Sequence, residues 1–315
     1  MDEEILRKVK KGLAALLLAG LLIGMAFMIL RYRGEMSARS RQIASLSVQA
    51  SAYEAELNEL RRQQEMEEMR LYAPEGPGTA VVAFLIGGED DLDRALRYGE
   101  QYGFTPTIIL RVDDPDLDGT VELLTGSGLE IILYSRGLDS AAQIKALQER
   151  LEDAGCVNTC AYLLRASDDT EANRKILAAS GITTLFLYGD SLSSAVREDG
   201  TVEMNYSYVN KSAYSPVNRL SDLNGSEQGL LFAIDLAETT ASERQIGEIL
   251  SLIRDEADAG HITIGRVRDA AAVVKERLAR EEANVAAFLE TQEARTARIR
   301  ELEELTREIY SHWKD

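Results

Sequence analysis

The segment AVVAFLIG, residues 80–87, is an almost unbroken apolar run that contains valine and isoleucine and ends in glycine. A strand that is apolar on both faces needs cover on both faces, which is typical of parallel sheets packed under helices. Similar runs follow along the chain: TPTIILRV (105–112), LEIILYS (129–135), TCAYLLRA (159–166), TTLFLYG (183–189), GLLFAIDL (229–236) and HITIGRV (261–267). The repeated run predicts a core sheet of about seven parallel strands.

Helical stretches separate most of these runs. Examples are SAAQIKALQERLEDAG (140–155) and SERQIGEILSLIRDEADAG (242–260), which end in the glycine that is common just past a helix. The alternation predicts an α/β fold, either a (β/α) barrel or an open doubly wound sheet. REDGTVEMNYSYV (197–209) breaks the rhythm and predicts a hairpin around Asp199-Gly200, with the rest of 190–228 as an irregular insert.

A second feature is an apolar segment near the start of the chain. Residues 12–30 carry no charged or strongly polar side chain, and this length spans about 28 Å as a helix, close to the hydrocarbon thickness of a bilayer. No small-residue cleavage motif follows, so we interpret the segment as an uncleaved signal-anchor. We expect a single-pass cell-membrane protein with residues 1–11 in the cytoplasm and the bulk of the chain outside it. The flanking basic residues are Arg7, Lys8, Lys10, Lys11, Arg31 and Arg33.

Heptad patterns flank the predicted sheet on both sides. Residues 34–72 and 269–315 each repeat apolar side chains at alternating spacings of three and four, and APEGPG (73–78) ends the first repeat. Either repeat alone is also typical of an amphipathic surface helix. Two such repeats beside one domain predict a stalk in which the two helices pair antiparallel within one chain. The rival arrangement is a parallel homodimer in which two chains pair through the first repeat. The seam positions are Met36, Arg39, Ile43, Leu46, Ala50, Tyr53, Leu57 and Leu60, then Ala271, Val274, Leu278, Glu281, Val285, Phe288, Gln292, Arg295, Ile299, Leu302, Thr306, Ile309 and Trp313.

The antiparallel arrangement has a consequence for the membrane. The second repeat is long enough to return to the bilayer surface, so we expect Tyr310 and Trp313 at the level of the lipid headgroups.

Composition excludes several classes of protein. The formal net charge is −18, which disfavours nucleic acid and flat contact with anionic lipid, because both are polyanions. Two cysteines, Cys156 and Cys160, cannot form a disulfide framework. A single disulfide between them is one interpretation, but two free buried thiols are the favoured one.

The order of segments within residues 79–268 carries a family resemblance. VVAFLIGG, DRALRYGEQYGFTPTIILR, GLEIILYSRG, YLLRASDD, GLLFAIDL and AGHITIGRV resemble successive segments of the polysaccharide deacetylase family, the NodB-homology domain. The resemblance implies a distorted (β/α) barrel of about seven parallel strands. It also implies a metal-dependent deacetylase site wherever the family's ligands are kept.

Most of those ligand positions hold other residues. The whole chain has two histidines, His261 and His312, so a histidine-rich zinc site cannot be assembled within it. The resemblance therefore implies a pseudoenzyme without a cofactor. We expect Leu85, Ile86, Tyr134 and Ile234 to form an apolar mouth in place of the metal. By alignment, Leu85 and Ile86 replace the paired aspartates, Tyr134 and Leu138 the two histidines, and Ile234 the late histidine, whereas Arg165 and Asp235 are retained.

Other chemistry at the strand ends remains open. Facing carboxylates there would allow acid–base hydrolysis of a glycosidic bond, although acidic residues after strands commonly cap the next helix. Arg111, Arg136 and Arg165 end successive strands and would suit one anionic group, with internal ion pairs as the favoured alternative.

A calcium-like spacing occurs once. Asp114, Asp116 and Asp118 alternate before Gly119, but Thr125 stands where calcium loops carry a bidentate glutamate. A solvated acidic turn that precedes the next helix is the favoured interpretation.

The sequence thus predicts a membrane-anchored envelope protein with a non-catalytic, deacetylase-like domain. Its function would be that of a scaffold or of a module that binds a glycan or a membrane-protein partner. The main alternative is an envelope hydrolase that uses carboxylates at the strand ends. A purely structural stalk protein and a homodimer formed through the stalk also remain open.

Overall fold

The computed structural model describes residues 3–135, 137, 140–189, 191–209, 214–238 and 241–311. The chain divides into two compact units. One is Tyr72–Val285, and the other combines the helical segments before and after it.

The unit Tyr72–Val285 is a closed parallel barrel. Seven strands form the ring in the order β1-β2-β3-β4-β5-β7-β8, and β8 returns to pair with β1. The prediction of a (β/α) barrel with about seven parallel strands is confirmed, and the open doubly wound sheet is excluded. The strands are β1 (Gly78–Leu85), β2 (Thr107–Arg111), β3 (Glu130–Tyr134), β4 (Val157–Leu164), β5 (Thr184–Tyr188), β6 (Ala195–Val196), β7 (Val202–Val209), β8 (Gly229–Asp235) and β9 (Ile262–Ile264).

Two of these strands differ from the sequence prediction. The segment 261–267 was expected to supply a full strand, but β9 has three residues and pairs only with the start of β1, over Gly78–Ala80. Its place in the ring is taken by β7, which lies parallel between β5 and β8. The predicted hairpin around Asp199-Gly200 is present, because β6 pairs antiparallel with the first residues of β7.

Helices surround the ring and connect its strands. Ser140 and Ser242 begin α4 and α7, and each accepts the backbone N–H of the glutamine three residues on, whose side chain bonds back. These reciprocal bonds satisfy amides that a helix start leaves unpaired. The helices are α1 (Glu3–Arg70), α2 (Glu89–Tyr102), α3 (Leu117–Leu123), α4 (Ala141–Asp153), α5 (Glu171–Ala179), α6 (Tyr214–Leu223), α7 (Glu243–Asp258) and α8 (Val267–Ser311).

The barrel strands have two apolar faces, as the continuous runs predict. The outward face packs under the helices, for example Phe84 and Phe232 with Ile246 of α7. The inward face fills the barrel with side chains such as Ala83, Phe186 and others that are fully buried. The barrel is therefore a packed core with no passage through it.

Both cysteines lie near the start of β4 as free thiols, with Cys156 buried and Cys160 half-buried. Burial raises the pKa of each thiol. The pairing of β3 with β4 shifts register beside Cys160, whose φ of 48° places this residue in the left-handed region. The bulge accommodates two extra residues in β4, Thr159 and Cys160.

The first turns of α8 close the barrel at the amino-terminal ends of its strands. Val267, Ala270 and Val274 are at most 1% exposed and belong to the inner cluster. Glu130, at the start of β3, accepts the backbone N–H of Val267 at 2.9 Å and is itself 3% exposed. Asp269 accepts the N–H of Arg266 at 3.0 Å, so two acidic side chains satisfy the start of α8. We call this end of the barrel the floor.

Replacement of Glu130 tests the floor. Glu130→Ala leaves the buried N–H of Val267 without its acceptor and should lower the free energy of unfolding by about 1–3 kcal/mol. Glu130→Gln keeps an acceptor oxygen and should lower the free energy of unfolding much less. Burial raises the pKa of Glu130. The contribution of this side chain to the stability of the fold therefore falls as pH rises through that pKa. Glu130→Gln should remove this pH dependence. Urea unfolding of the full chain in detergent, followed by near-ultraviolet circular dichroism, measures both effects. Equal losses in the two variants would contradict this role.

In the other unit, α1 is one continuous helix from Glu3 to Arg70. It is long and apolar enough to cross a membrane, and the large apolar side chains of this segment are exposed, for example Leu16 at 74% and Ile23 at 71%. The expected apolar segment and the expected stalk are therefore parts of the same helix. The proposed span of residues 12–30 lies within it.

The later part of α8 lies antiparallel to α1. Arg295 donates to both carboxylate oxygens of Glu67 at 2.9 Å, and Arg61 donates to Glu303 at 2.7 Å. Tyr310 donates to Glu54 at 2.6 Å, so residue numbers fall along α1 as they rise along α8. The apolar seam between the helices includes Ala50, Leu302 and Ile309, which are at most 7% exposed.

Three expectations about the stalk are corrected. The seam of α1 does not extend to Met36 and Ile43, which are 51% and 53% exposed. The single heptad register of α8 serves two purposes, because Val274 packs in the barrel floor and Leu302 packs in the stalk. Tyr310 contacts Glu54, about 36 Å along the helix from residue 30, so it does not reach the headgroup level. Trp313 lies outside the described residues.

Charge reversal tests the antiparallel contact. Arg295→Glu places like charges together and should speed hydrogen exchange of the α8 backbone amides around it, whereas the swap with Glu67→Arg should restore slow exchange. The hydrogen bond from Arg295 lowers the pKa of Glu67, so the contribution of this pair is lost only as pH falls through that lowered pKa. Arg300→Glu, the same change at an exposed position of α8, is the control. Faster exchange in the control alone, or no rescue by the swap, would contradict the pairing.

Candidate functional site

The carboxyl-terminal ends of the barrel strands form a mouth, the usual place for binding sites in this architecture. Alternation along each strand turns every second side chain inward. The inner cluster therefore ends in Leu85 on β1, Tyr134 on β3 and Tyr206 on β7. The mouth is thus lined by the last inward residue of each strand and by the residues that follow.

One side of the mouth is an open cleft of about 400 Å³, within the size range of small-ligand sites. Phenol rings make up most of its wall, together with one guanidinium group and the short turn after β4. Leu163 and Phe186, fully buried in the inner cluster, lie deeper in the same strands. The cleft is lined by Tyr134, Arg165, Ala166, Ser167, Tyr188, Tyr206 and Tyr208.

Three of the tyrosines pack edge to face. The ring centroids of Tyr188 and Tyr206 are 5.9 Å apart, and those of Tyr206 and Tyr208 are 5.3 Å apart, at interplanar angles of 62° and 88°. These are favoured aromatic geometries, so each ring holds its neighbour in place. Tyr188 is 53% exposed and presents its ring to solvent, whereas Tyr206 is 4% exposed.

Two phenols of the cleft, those of Tyr206 and Tyr208, have a raised pKa and stay neutral over a wide pH range. Burial, with smaller effects from neighbours such as Tyr134, raises the pKa of Tyr206 to about 12. Burial also raises the pKa of Tyr208, and the nearby Tyr134 and Asp235 add to the rise. A neutral phenol both donates and accepts a hydrogen bond, so these hydroxyl groups suit a ligand with hydroxyl or amide groups.

Arg165 is the cation of the described cleft wall. It follows β4, and its nearest carboxylate is Asp168, with a nitrogen–oxygen distance of 3.9 Å. Its side chain is 42% exposed, so the guanidinium remains accessible to a ligand.

Asp235 ends β8 in register with Leu85 on β1. It accepts the backbone N–H of Glu238 at 2.8 Å. Burial raises the pKa of its carboxyl group against the lowering effect of that hydrogen bond. A carboxyl group held protonated above its ordinary range is a candidate proton donor.

The predicted apolar mouth is only partly correct. Leu85 and Tyr134 belong to the inner cluster, as expected. Ile86 and Ile234 belong to the outer cluster and face the helices. Leu138 lies outside the described residues. Two of the four expected side chains therefore meet at the mouth.

The arginines expected to converge have different partners. Arg111 forms ion pairs with Asp113, Asp114 and Glu238 at 3.4–3.7 Å, whereas Arg165 lies in the tyrosine cleft. Arg136 lies outside the described residues. For Arg111, the structure therefore shows internal ion pairs, the alternative that the sequence favoured over a shared anionic ligand.

Two of the three aspartates of the calcium-like motif have side-chain partners within the protein. Asp114 accepts the backbone N–H of Asp116 at 2.9 Å and pairs with Arg111. Asp118 pairs with Arg150 at 2.6 Å, and Asp116 begins α3. Within the described ranges, no group of three or more acidic, histidine or cysteine side chains is arranged to hold a metal ion.

Sequence reasoning missed Tyr206 and Tyr208 because their segment was assigned to a hairpin outside the predicted parallel strands. The available signal was the period-two alternation in EMNYSYV, which places Met204, Tyr206 and Tyr208 on one face. Tyr134 and Arg165 were named for the family positions they occupy, and the structure brings them together in the cleft.

The sequence was compared with known proteins. No protein-family model matches the chain, and no curated protein matches it.

Proposed function

We propose that this chain is a membrane-tethered, non-catalytic binding protein whose barrel mouth binds an envelope glycan. The tyrosine cleft is the observation that carries the proposal. Sugar rings present apolar C–H faces and hydroxyl edges, and exposed aromatic rings with neutral phenols complement both. Arg165 in the cleft wall opposes binding of cationic ligands and adds a donor for a carboxylate or carbonyl oxygen.

The resemblance to polysaccharide deacetylases supports the choice of a glycan. In that alignment, Leu85 and Tyr134 occupy metal-site positions, and both side chains are apolar or aromatic and at most 8% exposed. Side chains of this kind cannot activate water for hydrolysis. His261, one of the two histidines of the chain, pairs with Glu256 at 2.7 Å at the far end of α7, before β9. The proposal is therefore retention of a glycan groove without the family's chemistry.

Anchoring by α1 is the second part of the proposal. The helix is long and apolar enough to span a bilayer. The basic cluster Arg7, Lys8, Lys10 and Lys11 before the apolar segment supports a cytoplasmic start, with the barrel outside the cytoplasm at the cell membrane. Protease protection of the barrel in sealed, inside-out vesicles would contradict a cytoplasmic barrel, and its digestion there would contradict the proposed orientation.

Substitution of Tyr188 tests the cleft. Tyr188→Ala removes an exposed ring from the wall and should weaken binding of chitin oligosaccharides at least about fivefold, as expected for an aromatic contact residue. Calorimetry with the full chain in detergent provides the measurement. Tyr72→Ala, at a tyrosine of similar exposure outside the cleft, is the matched control. Equal affinity in both variants and the wild type would refute binding in this cleft, and a glycan array would show whether another glycan binds.

Absence of deacetylation is tested separately. The purified full chain should contain no stoichiometric zinc by elemental analysis and should release no acetate from chitin oligosaccharides. Zinc at one equivalent together with acetate release would overturn the non-catalytic assignment.

The raised pKa of Asp235 favours one alternative, an envelope hydrolase that uses this carboxyl group as the proton donor. In that case glycan cleavage would fall as pH rises through the pKa of Asp235, and Asp235→Asn would abolish it. Binding without cleavage in the wild type, unchanged by Asp235→Asn, supports the binding module instead.

A further inference from the structure

The part of α1 that directly follows the apolar segment is strongly basic within an acidic protein. Residues 31–45 contain four arginines and one glutamate, whereas the whole chain has a net charge of −18. All side chains from residue 31 to residue 45 are exposed, and the contacts with α8 begin beyond them. This stretch is hereafter called the arginine collar, with Arg31, Arg33, Arg39 and Arg41 as its cations.

The arginines keep most of their donors available. Arg31 pairs with Glu35 at 3.0 Å, and Arg41 donates to Ser37 on its own helix. Within the described ranges, Arg33 and Arg39 have no carboxylate partner. An anionic ligand would therefore displace little existing structure.

The angular spread of the collar indicates the kind of partner. At about 100° per residue, the four arginines point in directions roughly 80–120° apart around the helix axis. An acidic protein docked on one side would meet one or two of them. A ring of lipid headgroups around an upright helix meets all of them.

The depth of the collar fits the same partner. Arg31 and Arg33 lie within about 5 Å of the end of the apolar segment along the helix, and Arg41 lies about 16 Å from it. The first pair falls in the headgroup layer, and the second lies within about 10 Å of it, where a charged surface is still felt. Tyr32, 64% exposed, stands between the first two arginines, where interfacial aromatic residues are common.

We propose that the arginine collar selects anionic phospholipids by binding their phosphate groups around α1. The inference rests on the proposed membrane span and concerns a surface separate from the barrel mouth. Each guanidinium offers paired N–H donors to phosphate oxygens, and the negative charge of an anionic phospholipid complements the four cations of the collar. Glu35 opposes this selection, because it competes for Arg31.

Lipid retention by the full chain tests the proposal. The protein is reconstituted into vesicles of equal parts phosphatidylcholine and phosphatidylglycerol, extracted in mild detergent, and its retained lipids are quantified by mass spectrometry. Replacing all four collar arginines with glutamine should lower the ratio of retained phosphatidylglycerol to phosphatidylcholine at least about fivefold, the effect of a single arginine at a lipid surface. Glu35→Gln should raise the ratio. Excess inorganic phosphate at constant ionic strength should leave the ratio unchanged.

The control carries the same change of net charge elsewhere. Arg62, Arg70, Arg244 and Arg300 are exposed, and their replacement with glutamine should not alter the ratio. An unchanged ratio in the collar variant, an equal fall in the control, or loss of a bound acidic protein in place of lipid would overturn the proposal. Extraction with alkaline carbonate tests the membrane span independently of the collar. A retained chain without lipid preference refutes the collar alone, and a released chain refutes the membrane span with it.

Discussion

The contact of Glu130 with the first turn of α8 is the constraint on which the barrel unit depends. A closed parallel barrel exposes the amino-terminal ends of its strands unless something covers them, and here the cover is a helix start that brings unpaired N–H groups into an apolar interior. Glu130 accepts one of those groups, and Asp269 accepts the preceding one. Because the carboxylate is buried, its raised pKa records the cost of holding it there. With these acceptors present, Val267, Ala270 and Val274 pack in the floor without leaving either N–H group unpaired.

Further ion pairs hold α8 after its first turns. Arg280 pairs with Glu227 and lies 3.8 Å from Glu75, which belongs to the segment that leads into β1. Arg277 donates to Ser194 at 3.1 Å, so the same helix turn also fixes the loop before β6. The floor thus draws together the entry to the first strand and the connection to β7.

The sequence predicted the barrel because most strands follow the rule for parallel sheets, with apolar side chains on both faces. It failed at β7, where Asn205 and Ser207 face outward. Asn205 accepts the N–H of Ser193 at 2.5 Å and donates to the carbonyl of Leu187, so this face is covered by a loop that needs polar partners. The sequence analysis also predicted too long a strand at β9. From Ala83 onward β1 pairs with β2 in place of β9, and the chain is already helical at Val267. No local pattern reveals either contact.

The side chains of the candidate site could be predicted only where the alternation of inward and outward residues along each strand was taken into account. Ile86 and Ile234 were grouped with Leu85 by alignment, although neighbouring positions on a strand face opposite sides. Tyr206 and Tyr208 depended on β7 and were missed with it. The cleft that results joins residues from β3, β5 and β7 with the turn after β4, so its chemistry arises from ring closure and not from any one motif. The groove therefore depends on strand order, whereas a metal site would need particular side chains at particular positions.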